Sequence, residues 1–308
     1  MDQIIACVPN ISEGQDQQFI DDLSGRLAAV SGLVLLDVSV DHDQNRTVLS
    51  FTGPKDAMFE GGLLLYEMAL AKIDMRRHEG DYPRVGAVDV FPFVPLKNAP
   101  MSEVKAWAEE FAQLVATRFN IPVYLFGASA RYRYRSDVQN IRQGEYEGFA
   151  EKMTDSRWKP DLGPDRFPAD SGVTIIGARR PLISFKLTLT TSDLEIARHI
   201  GHAVADTSGG NIRAVAAKDH DQGRAYLSMA ITNFRAAPLY RVIENVRLEG
   251  RRFGVAIRRT ELNGLIPETV LFEAAEYYIG LQGFSRKQLL EHTIQQQLDK
   301  NFLLAGSR

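Results

Sequence analysis

The segment Asp74-Met-Arg-Arg-His-Glu-Gly-Asp-Tyr-Pro-Arg-Val-Gly86 gathers Arg76, Arg77, His78 and Arg84 with three carboxylates and one tyrosine. That mixture suits proton transfer on a polar, anionic substrate. An imidazole titrates near neutrality, and a guanidinium grips a carboxylate with two parallel hydrogen bonds. A loop between rigid elements is also where side chains stay accessible while the scaffold fixes their place. The alternative is a solvated loop whose His and Arg cap the preceding helix, and the residues alone leave both readings open.

Two further basic clusters follow: Arg131, Arg133, Arg135 and Arg142 with Tyr132 and Tyr134 interleaved, then Arg157, Lys159, Arg166, Arg179, Arg180 and Lys186. If the stretch is extended, alternation at 131, 133 and 135 sets three guanidinium groups on one side, a surface for carboxylates or phosphates. The competing reading is a charged rim paired with Asp137, Asp161, Asp165 and Asp170. His42 and His220 each stand between two aspartates, but in predicted turns, where Asp and His are common. His199 and His202 lack a carboxylate spaced to complete a metal site, and Cys7 in a first strand reads as a small core residue. Neither a P-loop nor a G-x-G-x-x-G after a strand occurs.

The elements that must position these groups follow from hydrophobic period and turn residues. Strands are predicted at 4–8, 34–40, 47–52 and 88–94, with helices at 16–30 and from Pro54 to about 73, in the order β-α-β-β-α-β. The second half repeats it: 173–189 as one strand or a hairpin, a helix capped by Ser192, strands at 212–217 and 225–232, a helix opened by Pro238, and a strand at 253–259. A helix at 102–119 and a strand at 123–126 lie between the repeats, and two helices, 267–278 and 285–302, end the chain. Adjacent strand pairs favour the split βαβ, ferredoxin-like unit in an α+β fold over a doubly wound sheet.

Composition bounds the function. There are 36 Lys plus Arg against 39 Asp plus Glu, a net charge of −3, over 308 residues with 44% hydrophobic residues. Bulk nucleic-acid binding is disfavoured by this balance, and a small polyanionic ligand is favoured. One cysteine excludes an internal disulfide or a multi-cysteine zinc site. No basic secretory leader opens the chain, and Glu67 interrupts the longest apolar run, so a cytoplasmic protein without membrane insertion is expected.

Cys7-Val-Pro-Asn-Ile-Ser-Glu-Gly14, Asn45-Arg-Thr-Val48, Ile73-Asp-Met-Arg-Arg-His78, Pro83-Arg-Val-Gly-Ala-Val-Asp89, Gly144-Glu-Tyr-Glu147 and Trp158-Lys-Pro-Asp-Leu-Gly-Pro164 together resemble the glutamate formiminotransferases. The resemblance implies two duplicated ferredoxin-like subdomains, here 1–178 and 179–308, usually in a homodimer, with a ligand groove between them. It implies transfer of a formimino group from N-formimino-glutamate to N5 of tetrahydrofolate, a co-substrate, in histidine breakdown, with no metal. Some relatives act on formyl groups instead, and the bifunctional ones carry a cyclodeaminase domain that is not expected here. The family's catalytic His aligns with Tyr82, and Ser39 stands where an acidic residue is expected. An ordinary phenol, with a pKa of about 10, is a poor base at neutral pH, so proton handling is assigned to Tyr82 or His78 beside Arg84. The folate-binding segment aligns with 163–172, placing Gly163, Pro164, Asp165, Arg166, Phe167 and Gly172 at the pterin. Asn10, Arg46, Arg131 and Arg133 are the expected substrate contacts. The alternatives are an altered reaction or a folate binder without catalysis.

Overall fold

Pro9 splits the first strand in two, β1 (Ile4–Cys7) and β2 (Asn10–Ile11), which are followed by α1 (Gln17–Ala29), β3 (Val34–Asp41), β4 (Arg46–Thr52), α2 (Lys55–Lys72) and β5 (Val88–Lys97). The computed structural model describes residues 3–80, 83–219, 223–294, 297 and 298. Asp16 caps α1 by accepting from the Phe19 N–H at 3.0 Å, and Ile20, Leu23 and Leu27 turn its apolar stripe inward. β1 and β2 both pair antiparallel with β4 on one side and β5 on the other, while β3 pairs with β4. That is the split βαβ arrangement expected from the sequence.

The first sheet then grows. α3 (Met101–Phe119), β6 (Val123–Gly127), α4 (Val138–Arg142), α5 (Glu145–Lys152) and β7 (Thr174–Ala178) follow. β7 pairs in parallel with both β5 and β6, giving the order β3-β4-(β1, β2)-β5-β7-β6. The apolar run 173–189 is therefore neither one strand nor a hairpin: its first part ends this sheet and its second opens another. The break falls at Arg179-Arg180-Pro181, two cations and a residue without an N–H.

The chain divides between Pro181 and Leu182 into two compact units. In the second, β8 (Ile183–Leu189), α6 (Leu194–Asp206), β9 (Ile212–Lys218), β10 (Ala225–Ile231), α7 (Leu239–Arg251) and β11 (Ile257–Asn263) form an antiparallel sheet of order β11-β8-β10-β9. This is the first unit's core order again. Asp193, not Ser192, caps α6, accepting from the Glu195 N–H at 2.8 Å. The last strand starts later than expected because residues 252–254 form a turn after α7. α8 (Glu268–Ile279) packs on α7, and Ser285 caps a short 3₁₀ turn that leads into helical residues 290–294, 297 and 298, within the helix expected over 285–302. Among the described residues, no helix is long and apolar enough to cross a membrane.

The core of the first unit is aromatic. Phe91 and Phe111 lie 4.6 Å apart at their ring centroids, with Tyr66 and Phe93 against Phe91. α2 comes this close only because position 62 has no side chain: a Cβ there would lie 2.6 Å from Phe111 Cζ and 3.0 Å from Phe91 Cζ. Gly62→Ala adds about 1 kcal/mol of helix propensity, yet rings locked in a dense core cannot give way. The substitution is expected to lower the thermal unfolding midpoint; a rise would show that the rings yield.

Candidate functional site

α2 ends at Ile73, and the chain turns back toward β5 through residues 74–87. Three backbone bonds fasten this return to the segment before β7: the Met75 N–H donates to the Asp170 carbonyl and the Ala87 N–H to that of Ser171, both at 2.8 Å, and the Val173 N–H donates to the Val85 carbonyl at 2.9 Å. Gly86 lies against Gly172 in an isolated antiparallel bridge, where a Cβ on Gly86 would meet the Val173 carbonyl oxygen at 2.1 Å. Glycine is what lets the two backbones touch.

Arg84 is the centre of the cluster. Its Nε donates to His78 Nδ1 at 3.1 Å, one Nη to the His78 carbonyl at 3.2 Å, and the outer edge grips Glu147 in a bidentate pair at 2.6 and 2.9 Å. Glu145 adds a contact at 3.3 Å. These five contacts match the five N–H groups of a guanidinium. Glu145 and Glu147 come from the first turn of α5, behind Gly144 at φ +90° and Glu145 at φ +53°. A left-handed, non-glycine residue at a helix start is a strained way to aim a carboxylate.

His78 is held at both ring nitrogens. Since Arg84 is always charged and can only donate, Nδ1 is the acceptor, and Nε2 carries the hydrogen that it donates to the Asn45 carbonyl at 3.0 Å. Burial pushes its pKa below the ordinary value; the Asn45 bond opposes this and the neighbouring Arg84 adds to it. The imidazole is a neutral strut, with neither nitrogen open to a substrate.

Asn45 closes the ring of contacts. It sits in the β3–β4 turn at φ +47°, its side chain accepts from the Gly14 N–H at 2.8 Å and donates to the Glu79 carbonyl at 2.9 Å. Asn10, on β2, accepts from Arg46 and donates to the Val8 carbonyl at 2.9 Å. Behind Arg84, Asp89 accepts from the Val85 N–H at 3.0 Å and forms a buried ion pair with Arg142 of α4. Ser12, Asn45, Arg46, His78, Arg84 and Asp89 enclose a cavity of about 10 Å³, the size of a single water site.

The structure thus brings Asn10, Arg46, His78 and Arg84 into one cluster. Tyr82 and His220 lie outside the described residues. The 163–172 segment runs alongside: Gly163 turns at φ +83°, Asp165 pairs with Lys159, the Phe167 ring lies tilted against Tyr146, and the Gly172 N–H closes a turn on Pro168 at 2.7 Å. Pro164 and Arg166 belong to this segment, and Arg166 is exposed.

Arg131 and Arg133 go elsewhere. Residues 133–135 form a 3₁₀ turn, so the alternation does not place three guanidinium groups on one side. Arg135 is buried, bonded to Asp161 at 2.9 Å and faced by Tyr124, Tyr132, Tyr134 and Trp158. Arg131 reaches the Asp161 carbonyl at 3.0 Å, whereas Arg133 is exposed. Lys152 reinforces the same module, donating to the carbonyls of Asn140, Ile141 and Gln143 at the end of α4 while burial lowers its pKa to about 8. Cys7 is buried beside Met58, and burial raises its thiol pKa, as suits a core residue. His42 is exposed, His199 bonds to the carbonyl of its own helix, and no three potential ligands converge on a metal position among the described residues.

Sequence reasoning assigned no role to Glu145, Glu147, Asn45 or Asp89. The signal lay in the motifs that contain them, especially Gly144-Glu-Tyr-Glu147.

Residues 4–179 match the family model of the formiminotransferase domain, N-terminal subdomain, and residues 192–298 that of the formiminotransferase domain. The chain is 36% identical over 295 residues to a glutamate formimidoyltransferase of Streptococcus pyogenes serotype M1, covering 95% of this chain and 99% of that protein. It is 36% identical over 296 residues to the protein of that name from Thermoplasma acidophilum, covering 95% and 97%. With the formimidoyltransferase-cyclodeaminase of Rattus norvegicus it shares 35% identity over 286 residues, 90% of this chain and 53% of the longer protein.

The geometry sets two tests. Because the folded state lowers the His78 pKa, the unfolded chain binds a proton first, so stability is full above about pH 6.5 and declines as pH falls below it. His78→Gln should show a smaller decline in urea midpoint between pH 7.5 and 5.5; an unchanged decline would place the effect elsewhere. Asp89→Ala removes the buried carboxylate that pairs with Arg142 and should cost about 3–5 kcal/mol of unfolding free energy in urea, whereas a loss within 1 kcal/mol would mean that this ion pair contributes little.

Proposed function

Because the chain belongs to the formiminotransferase family, we propose that it transfers the formimino group of N-formimino-glutamate to N5 of tetrahydrofolate and releases glutamate. The observation that carries this reading is the 36% identity to a glutamate formimidoyltransferase across 95% of the chain and 99% of that protein. Tetrahydrofolate is then a co-substrate, no metal is required, and the reaction belongs to histidine breakdown. A cytoplasmic homodimer completes the reading.

Attack of N5 on the amidinium carbon forms a tetrahedral adduct, and its collapse needs a proton on the departing glutamate nitrogen. With both nitrogens of His78 engaged by Arg84 and Asn45, the proton is assigned to Tyr82. A phenol that is a weak base at neutral pH is still a proton donor to a basic amine leaving group, and the phenolate it leaves takes up the proton that N5 loses, which restores the side chain. Residues 78, 79 and 84, which flank Tyr82 in the sequence, are fastened by the bonds between His78 and Arg84 and by the Asn45 bond to Glu79. The 163–172 segment is assigned to the folate, and Asn10 and Arg46 to the formimino-glutamate. Arg131 and Arg133, which join the Arg135 module instead of the cluster, are not assigned to the reacting groups.

The test is glutamate release by the purified protein from N-formimino-glutamate with tetrahydrofolate, compared with formyl exchange from 5-formyl-tetrahydrofolate. Wild type should release glutamate, Tyr82→Phe should lose about 10²–10⁴-fold in kcat, and Tyr82→His should keep activity. No release by wild type would overturn the reading.

A further inference from the structure

The two partners in the Arg84–Glu147 pair are unequally placed. The guanidinium side chain is 9% exposed, whereas the Glu147 carboxylate holding its outer edge is 61% exposed and Glu145, on the same Nη, is 46% exposed. Both Glu147 carboxylate oxygens accept from Arg84. Two carboxylates therefore crowd one cation from the solvent side. The exposed Glu147 carboxylate is readily rehydrated when it leaves, so the cost of breaking the pair falls on Arg84. A shielded guanidinium stripped of its partner is costly, so the place Glu147 vacates must be taken by another carboxylate.

Resting on the transfer reading above, in which substrate and product are both glutamates, we infer that Glu147 is an internal stand-in for a substrate carboxylate, occupying a bidentate seat on Arg84 that the substrate claims by displacing it. The side chain of a glutamate ends in the same carboxylate as the glutamyl substrate, and the outer edge of Arg84 presents two parallel donors that fit either one. The inner donors, on His78 Nδ1 and the His78 carbonyl, stay in place during the exchange. Glu147 thus keeps the site closed and its cation neutralised until a dicarboxylate arrives, and it sets the threshold concentration for binding. Arg84 in this scheme holds the substrate and takes no proton.

The probe is glutarate, which carries both carboxylates of glutamate without the nitrogen. In calorimetric titration, Glu147→Gln should bind glutarate about twofold to fivefold more tightly than wild type, the range expected when an exposed competitor is removed, and the gain should vanish when Arg84→Lys is added. Equal or weaker binding by Glu147→Gln, a gain that survives Arg84→Lys, or no binding by either chain overturns the proposal. A second measurement needs no variant. Arg84 holds the Glu147 carboxyl below its usual pKa, and saturating glutarate should return it toward the ordinary glutamate value in a carbon-detected NMR titration of the wild-type chain; an unmoved titration overturns the proposal as well. Turnover separates the two failures. If wild type releases no glutamate from N-formimino-glutamate while both glutarate effects appear, the transfer reading falls and the seat stands; if turnover is present and the effects are not, only the seat falls.

Discussion

A guanidinium as shielded as that of Arg84 needs an acceptor for every N–H, because a buried donor left without one costs about 1–3 kcal/mol. That requirement draws the site together. His78 answers it from the return after α2, and Glu145 and Glu147 answer it from the start of α5. Asn45 is recruited indirectly, because an imidazole whose Nδ1 is an acceptor must place its remaining hydrogen somewhere, and the carbonyl of the β3–β4 turn is within reach. The neutral state of His78, the strained start of α5 and the closed turn of Asn45 are consequences of satisfying one cation.

The duplication explains the frame around that cation, and the departure from duplication explains the site. Both units share one strand order, with two helices between paired strands, but only the first adds α3, β6 and β7 and the short helices between them. Among the described residues, the groups that fasten the 83–89 segment from outside the shared core come from this addition: Arg142, Glu145, Glu147 and the backbone at 171–173. The addition is in turn held by Arg135, whose positive charge is faced by four aromatic rings and answered by Asp161.

Most of the fold could be read from the sequence because apolar period is local information. Ile20, Leu23 and Leu27 declare a helix whatever surrounds them, and the polar turns after 41 and 218 separate strand pairs cleanly. Where reading failed, the deciding contact was distant. Nothing within 173–189 says that 174–178 pairs in parallel with β5 and β6 whereas 183–189 starts another sheet. Arg131, Arg133 and Arg135 alternate as a strand would, but Asp161 and four rings pull Arg135 into a 3₁₀ turn. The site was legible in part. Composition marked residues 74–86 as unusual, and motif resemblance joined His78 to Arg84, but that Glu147 would complete the pair rests on a contact across 63 positions. Periodicity carries no trace of such a contact.

That same separation sets a timetable for the newborn chain. A ribosome adds about 5–20 residues per second, so the 63 positions between Arg84 and Glu147 take on the order of 3–13 s to synthesise. Throughout that interval the guanidinium has emerged without its acidic partner and must remain hydrated. The first ferredoxin-like core can close meanwhile, since β5 ends at Lys97, but the pocket it borders stays unfinished. Translation therefore delivers the scaffold before the chemistry, and a nascent chain stalled between the two would present a stable sheet with an unclaimed positive charge at its edge.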